Sequence, residues 1–415
     1  MISASHARRR RATWATGIAI AAGTLTLLAG TTRNVIAQRA AAPIAHIEPG
    51  TKPWVRVPPD RVAAECGLDP SLLEAADHTL AETPYAVVRY GKLCWEHGAT
   101  EEQYAVMSIT KTMGSLLFGM VTTHSSLSDE DPVTKWLTAE ELGQINPNAK
   151  LAHVLSMTST KPDLSWGNKG QWSYDASGNR EINKLVIVMD RAIAKEPAGF
   201  PGVQNACDLA KQMFTKLGMT TSAWCSRSIG AGLQSSVRDM ARMGMLILQR
   251  GKYNGERLVK EQYVYRMSHP AFPDTNTAYG YLLYNNALEN WRYSTGRNDP
   301  TGTPVAVWPK YPHEPFFEAP DCNHAFPNCA FGLDVGANWG QGAGGQRVVV
   351  HRGLDLVMAI RDDRTNNGHV NVWNAVRPAL VALDPRFKGN EQAFTAVYAK
   401  NEYAPDLAGV EAASR

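Results

Sequence analysis

The sequence predicts an α+β protein: an antiparallel sheet flanked by helices, with a mainly helical lobe inserted into it. Three observations carry that expectation. Residues 85–90 and 93–96 flank Gly91-Lys92 and read as a β-hairpin. A second hairpin pattern, 346–351 and 354–361 around Arg352-Gly353, comes only near the end of the chain. Between them, from 121 to about 265, apolar residues recur mainly at helical spacing. Strands at both ends with helices between imply one sheet assembled from the two ends of the chain. No internal repeat is visible.

Taken in order, the 415 residues begin unlike the rest. Arg8, Arg9, Arg10 and Arg11 precede an apolar run over 15–30, and Val35-Ile36-Ala37 before Gln38 is a small-x-small cleavage pattern. Residues 1–37 are therefore expected to be a signal peptide, and the protein to be exported to the periplasm or beyond. The alternative is an uncleaved membrane anchor, for which the run is short. A twin-arginine signal fits poorly, because Ala12, Thr13 and Trp14 follow the arginines. These residues carry five Arg and neither Asp nor Glu, so the formal charge of +3 becomes −2 without them. The basic balance belongs to the leader, and no nucleic-acid surface is implied.

Residues 38–60 are polar and Pro-rich and read as a flexible leader. The main domain is expected over 61–390. It opens with a helix over 61–80, followed by the first hairpin and a helix from about 108. The clearest helical pattern lies within 233–251, where Val237, Met240, Ala241, Gly244, Met245 and Leu248 share a face and Gly251 ends the run. Residues 285–340 are rich in Pro, Asn, Gly and aromatics, a long irregular stretch of the kind that often serves function. The second hairpin and a closing helix over 369–383 complete the domain, and 391–415 is a tail.

The composition, 44% hydrophobic and 20% charged, is that of an ordinary globular protein. Six cysteines in an exported chain suggest disulfides. Cys322 and Cys329 flank a short loop, Cys207 and Cys225 bracket a helix and turn, and Cys66 and Cys94 remain. Other connectivities are open. A rival reading makes Cys322, His324 and Cys329 a zinc site, but it lacks a fourth ligand and the usual Cys spacing.

The chemistry concentrates at Ser108-Ile109-Thr110-Lys111. On a helix beginning near Ser108, residues three apart share a face, so the Lys111 amine lies one turn from the Ser108 hydroxyl. A serine needs a base to become a good nucleophile. A buried lysine supplies one, because desolvation disfavours its ammonium form. The free N–H groups of a helix N-terminus suit a developing oxyanion. Alone, the four letters are weak and fit better a capping serine with a solvated lysine.

Longer matches in order turn that balance. With Ser108-Ile109-Thr110-Lys111-Thr112 come Asp131-Pro132-Val133 with Trp136-Leu137, and His153-Val154-Leu155-Ser156-Met157-Thr158-Ser159. Leu217-Gly218-Met219 and Gly232-Leu233, leading to Ser236-Val237-Arg238-Asp239-Met240-Ala241-Arg242, follow. Over roughly 85–385 the chain resembles the serine β-lactamase and penicillin-binding-protein superfamily. The likeness is to its class C-like branch, with family VIII esterases, D-alanyl-D-alanine peptidases and 6-aminohexanoate-dimer hydrolases. The resemblance implies a β-lactamase/transpeptidase-like fold and an acyl-enzyme mechanism without metal or organic cofactor. It places Tyr174, in Trp172-Ser173-Tyr174, at the tyrosine of the family's Y-x-N motif, where it would shuttle protons. The motif's asparagine is Ala176 here, with Ser177 or Asn179 as substitutes. Gly340-Gln341-Gly342 stands in the K-T-G position, without its lysine, and the Ala343 N–H would join that of Ser108 as oxyanion donor.

The same glycines fit G-x-G-x-x-G, but a strand follows rather than a helix, which argues against a nucleotide site. His351 ends that strand and reads as structural. No strong G-x-S-x-G, H-E-x-x-H or Walker pattern occurs.

The sequence thus predicts a serine hydrolase for a small-molecule ester or amide. Ser108, Lys111 and Tyr174 are its catalytic residues, and Gly340, Gln341, Gly342 and Ala343 line its oxyanion and substrate side. Ala176 and the missing lysine favour an esterase or amidase over a β-lactamase. The alternatives are a D,D-peptidase or β-lactamase, and a catalytically weak envelope-binding protein.

Overall fold

The computed structural model of the chain describes residues 44–164, 176–269, 271–272, 279–285, 337–362 and 368–383. The expected signal peptide over 1–37, the expected leader up to 43, Tyr174, Cys322, His324, Cys329, most of the region 285–340 and the residues after 383 lie outside the described residues.

The chain enters through α1 (Pro59–Cys66) and α2 (Pro70–Leu80), then forms β1 (Tyr85–Arg89), β2 (Lys92–His97) and the short β3 (Tyr104–Ala105). The lobe comprises α3 (Ile109–His124), α4 (Ala139–Leu142), α5 (Leu151–Leu155), α6 (Ala176–Glu181), α7 (Lys184–Lys195) and α8 (Ala206–Leu217). Then come β4 (Gln234–Ser235), α9 (Val237–Leu248), β5 (Lys252–Tyr253), β6 (Glu256–Arg257) and α10 (Glu261–Ser268). The chain returns through β7 (Tyr284–Asn285), β8 (Ala337–Gln341), β9 (Arg347–His351) and β10 (Leu356–Ile360), and closes with α11 (Gly368–Leu383).

The expected α+β architecture is present. One six-stranded sheet runs β2-β1-β10-β9-β8-β7. Its pairings are antiparallel. The two ends of the chain meet at β1 and β10, in register from Tyr85 opposite Ile360 to Arg89 opposite Leu356. Every residue of β1, β9 and β10 is buried, as a strand covered on both faces requires. α9 covers one face so closely that a Cβ at Gly244 would stand 2.6 Å from Val357 Cγ1 and 3.0 Å from Val348 Cγ1. His351, of opposite parity to Val350, stacks with Trp373 of α11 on the other face. It is buried.

The helix expected over 61–80 is two helices. Gly67 ends α1 in the left-handed conformation, and the Asp69 side chain caps α2 by accepting from Ser71 N at 2.9 Å, with Pro70 at the first helical position. The leader is a second correction. From 44 onward it is packed rather than flexible, with Trp54 and Val57 buried. Ile47 N donates to Tyr90 O at 3.0 Å and Val57 N to Leu93 O at 2.9 Å. Arg242, itself buried, donates to Gly50 O at 2.7 Å and to Lys52 O, and lies over the Trp54 ring.

Disulfides join Cys66 to Cys94 and Cys207 to Cys225, as expected of an oxidising compartment. Among the described residues no helix is long and apolar enough to cross a membrane.

Because α9 meets the sheet at its glycine, Gly244→Leu should lower stability by about 2 kcal/mol or more through overpacking. A thermal melt that matches wild type would show that the helix can ride away from Val357.

Candidate active site

The turn that carries Ser108 is a strand-to-helix corner. β3 pairs with β4, Tyr104 opposite Ser235, and Val106 N donates to Leu233 O at 3.1 Å beyond the ladder. Met107 then adopts φ 49°, a left-handed conformation that costs a non-glycine residue about 1 kcal/mol. The turn closes onto α3 through Ile109 N to Val106 O and Thr110 N to Met107 O, both 3.1 Å. Thr110 latches it: its hydroxyl donates to Met107 O at 2.6 Å and accepts from Leu233 N at 3.0 Å. Ser108 occupies the N-cap of α3, yet its side chain makes no capping bond.

That hydroxyl meets Lys111 instead. Lys111 Nζ lies 2.7 Å from Ser108 Oγ and donates to Gly230 O at 2.8 Å. α3 is buried on all sides over 109–122, and Lys111 with it; the residue is 2% exposed. Burial pushes its pKa down to about 8. Gly230 is presented by the loop after Cys225, which is tied to α8 by the Cys207 disulfide. Trp224 Nε1 donates to Ser228 O at 3.0 Å, and Ile229 fills the space beside Gly114 of α3.

The end of β8 lies against the same corner. A Cβ at Gly340 would run into Thr112 Oγ1, and one at Gly342 into Val106 O, so glycine is required at both. Gly342 N donates to Gln346 O at 2.8 Å, and buried Arg347 holds Gly342 O and Gln346 O at 3.0 and 2.8 Å. Ala343 is exposed at the tip of this turn. Among the described residues neither the Ser108 nor the Ala343 amide donates to another group.

Ser108, Lys111, Gly340 and Gly342 are therefore brought together. Tyr174 lies outside the described residues, two positions before α6. Gln341 is half-buried, and its Oε1 has no partner among the described residues. His351 pairs with Ala337, whereas Arg347 pairs with Gln341, so His351 stands at the far end of the β8–β9 ladder, about 13 Å along the strand. Sequence reasoning missed Gly230, whose contribution is a main-chain carbonyl, and Thr112, whose hydroxyl occupies the space of a side chain at 340. Among the described residues no group of His, Cys, Asp and Glu could hold a metal ion.

No protein-family model matches the chain, and no curated protein matches it. Solved structures of serine β-lactamase and penicillin-binding-protein type are similar to it. A β-lactamase from Mycobacterium bovis aligns at 15% identity over 74% of this chain and 98% of its own, with a TM-score of 0.48. A class C β-lactamase from Rhodobacter sphaeroides aligns at 14% identity over 77% of this chain and 99% of its own, TM-score 0.45. An octameric penicillin-binding-protein homologue from Pyrococcus abyssi aligns at 13% identity over 77% and 78%, TM-score 0.46.

Thr110→Val removes the latch and leaves Leu233 N without its acceptor, at a cost of about 1–3 kcal/mol. Chemical denaturation should record that loss. Ser108 of the folded variant should also react more slowly with a fluorophosphonate; wild-type reactivity would mean that the turn holds without Thr110.

Proposed function

We propose that this chain is an exported serine hydrolase that opens an ester or amide through a Ser108 acyl-enzyme. The observation that carries the reading is the 2.7 Å contact between Ser108 Oγ and a buried Lys111 amine. An amine whose pKa is about 8 is partly neutral at physiological pH, as a general base must be.

Ser108 Oγ attacks the carbonyl carbon as its proton passes to Lys111 Nζ. The oxyanion sits between the Ser108 and Ala343 amides. Collapse of the tetrahedral species breaks the bond to the leaving alcohol or amine, which takes a proton from Tyr174 as Tyr174 takes the one held by Lys111, so that both end acylation in their starting forms. Water then attacks the acyl ester, loses its proton to the same base system and restores the Ser108 hydroxyl. Gly340, Gln341 and Gly342 form the wall along which the acyl group lies.

The substrate class follows from what position 340 lacks. Thr112 Oγ1 fills the space a side chain would need there, and no lysine stands at that point to hold a carboxylate. With Ala176 in place of an amide, this favours uncharged esters or small amides over penicillins and peptidyl-D-alanine. Two disulfides and the signal-like first 37 residues support export.

Hydrolysis of p-nitrophenyl acetate and butyrate, against nitrocefin, tests the reading in wild type, Ser108→Ala and Tyr174→Phe. Ester turnover is expected in wild type, abolished by Ser108→Ala and reduced about 100-fold or more by Tyr174→Phe, as for loss of a general acid. Nitrocefin should be inert. Turnover of nitrocefin would make the protein a β-lactamase, and no turnover of any substrate would favour the binding role.

A separate outcome is the pH dependence of kcat/KM for the ester. Lys111 is cationic below about 8 and neutral above it, so the rate should rise with pH through that region and then level. A rate that falls as pH rises from 7 to 9 would remove Lys111 as the base.

A further inference from the structure

Among the described residues the Lys111 amine meets two groups, and only one of them is the proposed nucleophile. The other, Gly230 O, belongs to a loop peptide outside any helix or strand. A carbonyl in a loop can hold an amine in one place only if the peptide itself is held. The loop is secured at its base by the Cys207–Cys225 disulfide and at Ile229 by packing on α3. At Gly230 itself the restraint is polar. Gly230 N donates to Asn183 Oδ1 at 3.2 Å and to Ser228 Oγ at 3.1 Å. Ser228 belongs to the same loop and moves with it. Asn183 does not: it stands at the N-cap of α7, a twelve-residue helix that packs against both α3 and α8. Asn183 makes no capping bond with its side chain, so that carbonyl is available to the Gly230 peptide.

We propose that Asn183 is a positioning residue for the Ser108–Lys111 pair, fixing from α7 the Gly230 peptide whose carbonyl holds the lysine amine. The inference rests on the hydrolase reading above. It assigns Asn183 no contact with substrate or with the reacting atoms.

Two consequences follow from the chain Asn183 Oδ1, Gly230 N–H, Gly230 C=O and Lys111 Nζ. The first is geometric. A neutral amine that donates one proton to Gly230 O has its lone pair left for Ser108, so a wandering carbonyl misaims the base. The second is electrostatic. Gly230 O stabilises the ammonium form of Lys111 against burial, and an acceptor on Gly230 N–H strengthens that carbonyl. Among the described residues the groups hydrogen-bonded to Lys111 are the Ser108 hydroxyl on its own helix and the Gly230 carbonyl from the loop, with Asn183 behind it on α7. Tyr174, the other titratable group proposed for the site, lies outside the described residues.

The test is the pH dependence of fluorophosphonate labelling at Ser108 in wild type, Asn183→Ala and Asn183→Asp, each checked by thermal melt. Asn183→Ala should slow labelling about tenfold on the plateau, as a misaimed base does. Its rising limb should move to lower pH, because the ammonium has lost support. Asn183→Asp keeps the acceptor and adds a negative charge, so it should recover most of the plateau rate while its limb moves to higher pH. Opposite movements of the two limbs are not expected of a residue that only stabilises the fold. Coincident limbs in all three proteins, or limbs moving the same way, would overturn the role. Absence of labelling in wild type at every pH would overturn the hydrolase reading and this role with it. Should Asn183→Ala fail to fold, Asn183→Asp alone decides: a wild-type limb rejects the proposal.

Discussion

The site depends on holding one amine out of water. An ammonium transferred into an apolar interior is strongly disfavoured unless it finds compensation, and the usual response is a fall in pKa. Lys111 shows that response, at about 8. What produces it is the whole of α3, a helix with no face to solvent over 109–122. α7, α8 and α10 pack on it from the lobe and β8 from the sheet. One of its polar positions is satisfied internally: Ser115 Oγ meets Tyr263 OH at 3.1 Å inside the core. Packing that would ordinarily be read as stability is here the source of the reactivity we assign to the serine.

The sheet built from both chain ends is what brings the second half of the site to α3. β1 and β10 are the seam, and the irregular segments around it are held by buried arginines rather than by ladder bonds. Arg89 collects the carbonyls of Cys66 and Gly67, at the end of α1, and of Leu354, just before β10. Arg242 collects Gly50, Lys52 and Leu217, tying the leader to the end of α8. Arg347 collects Gly342 and Gln346 within the glycine turn of the site. A guanidinium offers several donors in a fixed fork, and a turn or helix end offers carbonyls with no other taker. Removing any of these guanidinium groups would take the donor from several carbonyls at once, so they anchor segments that carry little apolar area of their own.

Much of this was legible beforehand. The two hairpins, the helix over 237–248 and the closing helix follow from spacing and from Gly91, Gly251 and Gly353. The break in the first helix was also written, in Gly67, Asp69 and Pro70, but periodicity averaged across it. The packed leader was hidden because its anchors are sparse: Trp54, Val57 and main-chain bonds to a guanidinium. At the site, S-x-x-K announced the contact between Ser108 and Lys111. Gly230 was illegible because a main-chain acceptor leaves no mark in a side-chain pattern. Asn183 is legible only once the loop it touches is known.

The missing lysine and the buried helix belong together. A cation at 340 would lower the pKa of Lys111 by repulsion, through a charge rather than through dryness. With glycine at 340 and Thr112 closing the space, desolvation is the cause of the shift. Repulsion tolerates water near the base, within the limits of screening, whereas desolvation does not. A base tuned in this way needs its surroundings sealed. On the proposed reading the loop that carries Gly230 serves both ends: Ile229 closes the packing against α3, and the next carbonyl receives the amine. On the same reading, a cavity opened beside Gly114 would act on the chemistry as well as on the fold, by letting water raise the pKa of the proposed base.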